Sequence, residues 1–234
     1  DTHFAYTTYG PFIALYVKNT PIKGKIEIFK SGEIFTAIDD SFNYDNTKSL
    51  EGIIYNIYAD EDIKSSDGNY LYYEKDELVG TMTTNSDGYA VSEELPLGKY
   101  RVVESKTNDN YVLDTTEYHI ELVEKANKTR VVYNSSEMTN VLKKGTLEFT
   151  KTDLVDGQPI PFTTIQVFTE NNEKIFEGTT DENGKIIIKN LSVGQKYYII
   201  ESEAATGYVI TDEIVYFEIK DNGEVVKAEM KNKP

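Results

Sequence analysis

Apolar and polar residues alternate along most of this chain in short runs bounded by glycine, asparagine and aspartate. In the run at 24–30, Ile26, Ile28 and Lys30 fall on the same side, because alternate side chains of a β-strand point to one face. No stretch has convincing helical periodicity, and turn pairs such as Asn-Gly and Asp-Gly separate the runs. The pattern predicts an all-β protein built of β-sandwiches.

The run at 24–30 occurs again at 145–151, with glycine, alternating apolar residues and a final lysine at matching positions. Longer intervals repeat as well, since in both copies ten residues separate the glycine of a turn from the glycine that precedes a later strand. The two pairs are Gly88 with Gly98, and Gly184 with Gly194. The repeat predicts two tandem sandwich domains end to end, at 21–142 and 143–234.

The first copy is the longer one. Its lysine-to-glutamate interval is 104 − 30 = 74 residues, against 201 − 151 = 50 in the second copy, so it carries about 24 extra residues before Gly80. We expect them to form an insertion at about 39–75, with loops at 39–46 and 60–70. Residues 1–20 are expected to be either the last strand of a preceding repeat or a tail that adds to an edge of the next domain.

The composition favours a β-rich extracellular protein, with 18 tyrosines, 10 phenylalanines and no tryptophan. A net charge of −16 and a pI near 4.6 argue against nucleic acid or an anionic membrane as partner, because both bind basic surfaces. The absence of cysteine excludes disulfides and thiolate chemistry. No membrane span, signal peptide or sorting signal is found, and we expect a fragment of a longer protein anchored to a cell wall.

The lysines that end the two repeated runs lie on the predicted core face, where an unpaired ammonium is unfavourable. The same alternation turns a glutamate on a middle strand and an asparagine on the last strand inward in each copy. The two sets are Lys30, Glu104 and Asn140, and Lys151, Glu201 and Asn232. Because the same three residue types occur at corresponding positions, we expect them to share a chemical role.

These residues resemble the Cna-B or prealbumin-like (SpaA-type) repeats of Gram-positive surface adhesins and pilins. The resemblance rests on Tyr197, Glu201 and the pair Gly207-Tyr208, preceded by an asparagine-glycine turn and a strand that ends in lysine. It covers residues 21–234, and the first repeat differs by its insertion and by lacking the glycine of the glycine-tyrosine pair. It implies Ig-like or prealbumin-like sandwiches, each with a spontaneous intramolecular isopeptide bond.

The bonds that the resemblance implies are Lys30 to Asn140 with Glu104 as catalyst, and Lys151 to Asn232 with Glu201 as catalyst. Burial disfavours both charged forms, so a neutral amine becomes available as nucleophile and a protonated glutamate can polarise the carbonyl and deliver a proton to the leaving ammonia. The alternative is a buried Lys–Glu ion pair with asparagine as a hydrogen-bond partner. Lys25 is a rival nucleophile in the first copy, but it lies on the face opposite Ile26.

The leading interpretation is a non-enzymatic structural stalk of a Gram-positive cell-wall adhesin or pilus subunit, with neighbouring repeats as partners. The alternative is a module that binds a host protein or glycan through aromatic residues of the insertion. These are Phe42, Tyr44, Tyr70, Tyr72 and Tyr73. A third possibility is a pilus backbone, since residues 16–19 resemble the pilin motif used for sortase linkage through its lysine, here Lys18, with valine in place of proline.

No cofactor or metal site is predicted. The two histidines, His3 and His119, lie far apart in sequence and belong to no metal-binding motif. Glycine-rich phosphate loops and nucleophile elbows are also absent from the sequence, so we expect no enzyme that turns over external substrates.

Overall fold

The structure is a computed structural model, and it describes residues 2–4, 15–17, 21–124 and 131–234. Near the start, β1 (Thr2–Phe4) pairs antiparallel with β2 (Leu15–Val17), with Thr2 opposite Val17. The remainder of 1–20, including Lys18, lies outside the described residues. Among the residues described, no helix is long and apolar enough to cross a membrane.

The first sandwich consists of two main sheets and a small separate sheet of β6 paired with β7, all with strands between residues 23 and 140. Its strands are β3 (Lys23–Ile38), β4 (Ser41–Ser49), β5 (Ile54–Ala59), β6 (Ile63–Lys64), β7 (Leu71–Tyr73), β8 (Leu78–Thr83), β9 (Tyr89–Val91), β10 (Leu95–Pro96), β11 (Gly98–Lys106), β12 (Glu117–Leu122) and β13 (Val131–Asn140). One sheet has the order β10-β3-β13, with β4 and β9 also paired to β3, and the other has the order β12-β11-β5-β8. The first and last strands, β3 and β13, are parallel neighbours.

The second sandwich repeats this arrangement with fewer residues. Its strands are β14 (Lys144–Asp153), β15 (Thr164–Thr169), β16 (Lys174–Thr179), β17 (Lys185–Ser192), β18 (Lys196–Glu203), β19 (Val215–Glu218) and β20 (Val225–Asn232). The sheets have the orders β17-β14-β20 and β16-β15-β18-β19, and β14 runs parallel to β20. The predicted all-β fold of two tandem sandwiches is therefore confirmed.

Each sandwich has its own core, formed by the alternate residues that the sequence turns inward. Ile26 and Ile28 of β3 are fully buried, as are Leu147 and Phe149 of β14. Burying one such side chain stabilises the fold by about 1.5 to 3 kcal/mol, so these strands are held mainly by their inward faces.

The extra residues of the first sandwich fall in two places, on either side of the core strand β5. The segment 39–46, predicted as a loop, is instead part of a hairpin: β3 continues to Ile38, the chain turns at Asp39 and Asp40 with φ of 50° and 59°, and β4 returns along β3. The loop prediction was wrong because the outward positions of β4 are polar. The segment 60–70, also predicted as a solvated loop, is mostly exposed, but its Ile63 is buried in the first core.

Candidate functional site

The two lysines at the ends of the repeated runs are buried in the cores. Lys30 on β3 is 2% exposed and Lys151 on β14 is fully buried. A turn holds the backbone at each lysine, because the Lys30 amide donates to the Gly88 carbonyl at 2.7 Å and the Lys151 amide to Gly184 at 2.8 Å. Both glycines have positive φ, and a Cβ on Gly88 would lie 2.2 Å from the Lys30 carbonyl oxygen, so these turns require glycine.

The parallel pairing of first and last strands brings each asparagine beside its lysine. Lys30 is opposite Met138, and Asn140 lies two residues farther along β13 on the same face. Lys151 is opposite Met230, with Asn232 in the equivalent place on β20. Both asparagines are 1% exposed. The strand register therefore places the side-chain amide of each asparagine in the core, next to the lysine.

Each glutamate reaches the same point from the facing sheet. Glu104 on β11 and Glu201 on β18 are 2% and 6% exposed. The distance from Lys30 Nζ to Glu104 Oε2 is 2.9 Å, and that from Lys151 Nζ to Glu201 Oε2 is 3.4 Å. The first contact is an ion pair whose direction falls outside hydrogen-bond geometry, so Lys30 Nζ has no hydrogen-bond acceptor among the described residues.

The asparagine side chains complete the contacts. Asn140 Nδ2 donates to Glu104 Oε1 at 2.8 Å, and Asn232 Nδ2 donates to both carboxylate oxygens of Glu201 at 2.8 and 2.9 Å. The Oδ1 atoms of both asparagines are buried, and neither has a hydrogen-bond partner in the part of the chain that the structure describes. All three predicted residues of each copy therefore meet in one contact group, which we call the Lys–Glu–Asn triad.

Burial also alters the acid–base properties of the second triad. It lowers the pKa of Lys151 below the ordinary value of 10.5, although the neighbouring Glu201 carboxylate acts in the opposite direction. The lowered pKa increases the fraction of neutral amine, the form that can act as a nucleophile.

Sequence reasoning missed the groups that surround each glutamate. Backbone amides donate to the carboxylates, from Asp114 to Glu104 at 3.2 Å and from Thr211 to Glu201 at 2.9 Å. Each donor follows its glutamate by ten residues, 114 − 104 and 211 − 201. This shared interval could have identified the two amide donors from the sequence. In addition Thr107 Oγ1 accepts from the amide of Asn140 at 2.8 Å.

Tyr55 is a further neighbour of the first triad, and the described residues of the second triad include no counterpart to it. Its hydroxyl donates to Glu104 Oε2 at 3.2 Å, its ring centroid lies 5.7 Å from Lys30 Nζ, and burial raises its pKa. The residue paired with Glu201 in the second sandwich is the apolar Ile165, whereas Tyr55 is paired with Glu104 in the first.

A Tyr55→Phe variant is expected to keep the chemistry of the first triad, since the second triad has Ile165 at the equivalent position. Losing one buried hydrogen bond should lower the free energy of unfolding by about 1 kcal/mol. Chemical denaturation of the variant beside wild type measures this. A loss several times larger would show that the hydroxyl holds the carboxylate in place.

The other candidates from the sequence lie elsewhere. Lys25 is half-buried on the face of β3 opposite the triad. His119 is exposed, with Nδ1 2.7 Å from Asp60 Oδ2, and the side chain of His3 lies outside the described residues. Within the described part of the chain no three His, Cys, Asp or Glu side chains form a group able to hold a metal ion.

The SpaA prealbumin-like fold domain matches the chain twice, at residues 42–137 and 145–234. The chain belongs to this family. The two matches correspond to the two sandwiches, and the predicted resemblance to prealbumin-like repeats is confirmed.

Proteins similar to this SpaA-family chain include the following bacterial ones. The trypsin-resistant surface T6 protein of Streptococcus pyogenes serotype M6 is 27% identical over 125 residues, which cover 47% of this chain and 22% of that protein. Among solved structures, the Bacillus anthracis TIE protein superimposes with a TM-score of 0.68 at 30% identity, covering 91% of this chain and 34% of that one. A streptococcal ancillary pilin is 21% identical with a TM-score of 0.36, covering 92% and 63%. The chain thus spans between a fifth and about a third of the first two relatives.

Proposed function

We propose that each Lys–Glu–Asn triad forms an intramolecular isopeptide bond, and that the chain is a self-crosslinked stalk segment of a bacterial surface protein. The observation that carries the proposal is the duplication of one buried constellation. The same three residue types, on equivalent strands and in the same mutual contacts, occur in both sandwiches.

The reaction needs only the three side chains. The lysine ammonium gives a proton to the glutamate carboxylate, which leaves a neutral amine and a neutral acid in the core. Nζ then attacks the asparagine Cγ, the new C–N bond forms as the bond from Cγ to Nδ2 breaks, and one ammonia molecule leaves. Nδ2 takes one hydrogen on departure, and the glutamate, which contacts both nitrogens, is positioned to carry it from Nζ.

Placement of the groups replaces a cofactor in this scheme. Lysine, glutamate and asparagine are held in contact by strand register, so the attack is unimolecular. Each molecule reacts once in each sandwich, and the process is maturation of the fold without turnover of an external substrate.

The alternative, a permanent buried ion pair, accounts for less of the geometry. Buried Lys–Glu pairs contribute little net stability compared with apolar residues of similar size, because both charges lose their hydration. It also leaves Oδ1 of both asparagines buried with no hydrogen-bond partner among the described residues, an arrangement that costs free energy in each core. A crosslink gives a reason for tolerating these polar groups in the core.

For the parent protein we propose an extracellular, cell-wall-anchored adhesin or pilus subunit of a Gram-positive bacterium, with neighbouring repeats of the same polypeptide as partners. The support is membership of the SpaA family and the similarity to a trypsin-resistant surface protein. A crosslink between first and last strands suits a cysteine-free stalk, because it would constrain the unfolded chain where no disulfide can form.

A ligand-binding role for the extra residues of the first sandwich has weaker support. Of the five aromatic residues proposed to bind a ligand, Phe42 and Tyr44 contact the second sandwich and are only partly exposed. Tyr72 and Tyr73 pack on the first core, which leaves Tyr70, with 63% of its surface exposed, as the most accessible of the set.

Intact mass spectrometry tests the crosslinks directly. The wild-type chain is expected to be lighter than its sequence by two ammonia molecules, since each bond releases one. Glu104→Ala and Glu201→Ala should each be lighter by one, and the double variant by none.

Glu203→Ala is the matched control, because Glu203 lies on the same strand as Glu201 but is exposed. It should show the full double deficit. A wild-type mass equal to that of the plain sequence would reject the crosslinks and leave buried ion pairs in their place.

A further inference from the structure

The hairpin formed by β3 and β4, which we call the β3–β4 hairpin, reaches beyond its own sandwich. Phe35, Ala37 and Phe42 from this hairpin pack against the core of the second sandwich. The Tyr44 hydroxyl donates to the Asn190 carbonyl at 2.6 Å. The tip of the hairpin is held as well, by an ion pair between Asp40 and Lys174 at 2.9 Å. The hairpin therefore contributes both apolar and polar contacts to its neighbour.

The base of the hairpin also fixes the segment that links the two sandwiches. Glu33 Oε2 accepts a hydrogen bond from the Leu142 amide at 2.9 Å and forms an ion pair with Lys144 Nζ at 2.8 Å. The same Nζ lies 3.9 Å from the ring centroid of Tyr44, a cation–π contact. The Glu33 and Lys144 side chains are only 13% and 25% exposed, so this pair is screened less by solvent than a surface pair.

The first sandwich covers the equivalent end of its own core with the other extra segment, residues 60–77. Ile63 of β6 is buried there, and a Cβ placed on Gly98 would lie 3.2 Å from its side chain. Tyr72 and Tyr73 of β7 pack against the same core. This segment acts as a cap, by which we mean residues that cover the end of the sandwich beside Gly98.

Within residues 143–234, all of which the structure describes, the second sandwich has no such segment. Its strands β15 and β16 are joined directly by residues 170–173, where the first sandwich has 60–77. At Gly194, the counterpart of Gly98, an added Cβ would instead lie 2.6 Å from the Asn110 amide of the first sandwich. Beside it, the ring of Phe35 meets that of buried Tyr197 edge-on at 6.2 Å between centroids.

We propose that the β3–β4 hairpin is the cap of the second sandwich, supplied by the first. The partner that fits this end of the second sandwich is thus the preceding domain of the same chain. The stability of the second sandwich then depends on the hairpin, and the angle between the sandwiches is fixed by the same contacts. The two extra segments of the first sandwich have one task each, one capping its own core and the other capping the next core.

Amide hydrogen exchange on the intact chain tests the proposal through Phe42→Ala, since among the described residues Phe42 packs on the second core and not on the first. Exchange in β15 and β18 is expected to become about tenfold faster, because the partly buried aromatic contact that covers the second core is lost. Exchange in β5 and β11 of the first sandwich should stay within twofold of wild type. The triad residues are unchanged, so the result does not depend on whether the crosslinks form.

Phe29→Ala is the matched control, because Phe29 lies on β3, the strand paired with β4, but is 45% exposed there and packs on Tyr89 of the first sandwich. It should leave β15 and β18 as protected as in wild type. Tyr44→Phe is a milder second variant that removes only the hydroxyl bonded to Asn190, and it should speed exchange near 190–197 by about fivefold. Wild-type protection of the second sandwich in both hairpin variants, or equal loss in both sandwiches, overturns the proposal.

Discussion

A wild-type chain pulled from its two ends is expected to show no full unfolding step from either sandwich. Tension that enters at β3 reaches Lys30, crosses the proposed bond to Asn140 on the neighbouring strand β13, and leaves the domain. The residues between them form a closed loop that carries no tension. The second sandwich behaves in the same way through Lys151 and Asn232.

Removing one glutamate should release one loop. In Glu201→Gln the loop of 232 − 151 = 81 residues becomes extensible, which at roughly 3.5 Å per residue adds about 280 Å of contour length. In Glu104→Gln the loop of 140 − 30 = 110 residues adds about 380 Å. Single-molecule force spectroscopy resolves steps of these lengths and tells the two domains apart.

Lys25→Gln serves as the control for this experiment, because it removes a lysine from the same strand as Lys30 but on the opposite face. Its extension should match that of wild type. A step of full domain length in wild type would contradict the expectation, since it requires the loop of that domain to be open.

The triads could be predicted from the sequence because strand alternation is a local property. Once 24–30 and 145–151 are recognised as strands, the backbone itself puts Lys30 and Lys151 on the side of their apolar neighbours. The recurrence of equal intervals in the two copies then identifies the glutamates and asparagines. A single strand predicts only which face its own lysine lies on, whereas the agreement between the two copies also identifies the glutamate and the asparagine that join it.

The β3–β4 hairpin was missed because its partner is distant in sequence. The inward side chains of β4, Phe42 and Tyr44, alternate with polar residues in a segment rich in Asp and Asn, which has the composition of a loop. What stabilises it as a strand is pairing with β3 and packing against a core whose residues begin more than 100 positions later. The Tyr55 contact with Glu104 was missed for a related reason, since the second copy has no counterpart to indicate it.

The second large effect concerns a buried charge without a partner. In Glu201→Gln the crosslink cannot form, and the loss of loop closure should remove roughly 4 to 5 kcal/mol from the free energy of unfolding. The fully buried Lys151 also loses its counter-charge, which should cost about 3 to 5 kcal/mol more. Asn232→Leu lacks the crosslink but keeps the Lys151–Glu201 pair. Its free energy of unfolding should therefore fall only by the contribution of loop closure, roughly 4 to 5 kcal/mol.

The pH dependence of Glu201→Gln follows from the same charge. Burial already lowers the pKa of Lys151 below 10.5, and without Glu201 nothing in the triad opposes that shift. Between the lowered pKa and 10.5 the folded chain binds fewer protons than the unfolded chain, so stability rises with pH across this window and is lost as pH falls through it. Denaturation midpoints of the second sandwich at several pH values measure the slope.

The double variant Lys151→Met/Glu201→Gln separates the charge from the crosslink. Methionine fills much of the volume of the lysine stem and carries no charge, so the pH slope assigned to Lys151 should disappear although the crosslink is still absent. The double variant should also be more stable than Glu201→Gln near neutral pH, in spite of having one more substitution. Equal slopes in the two variants would mean that another group titrates, and that Lys151 keeps its hydration when Glu201 is removed.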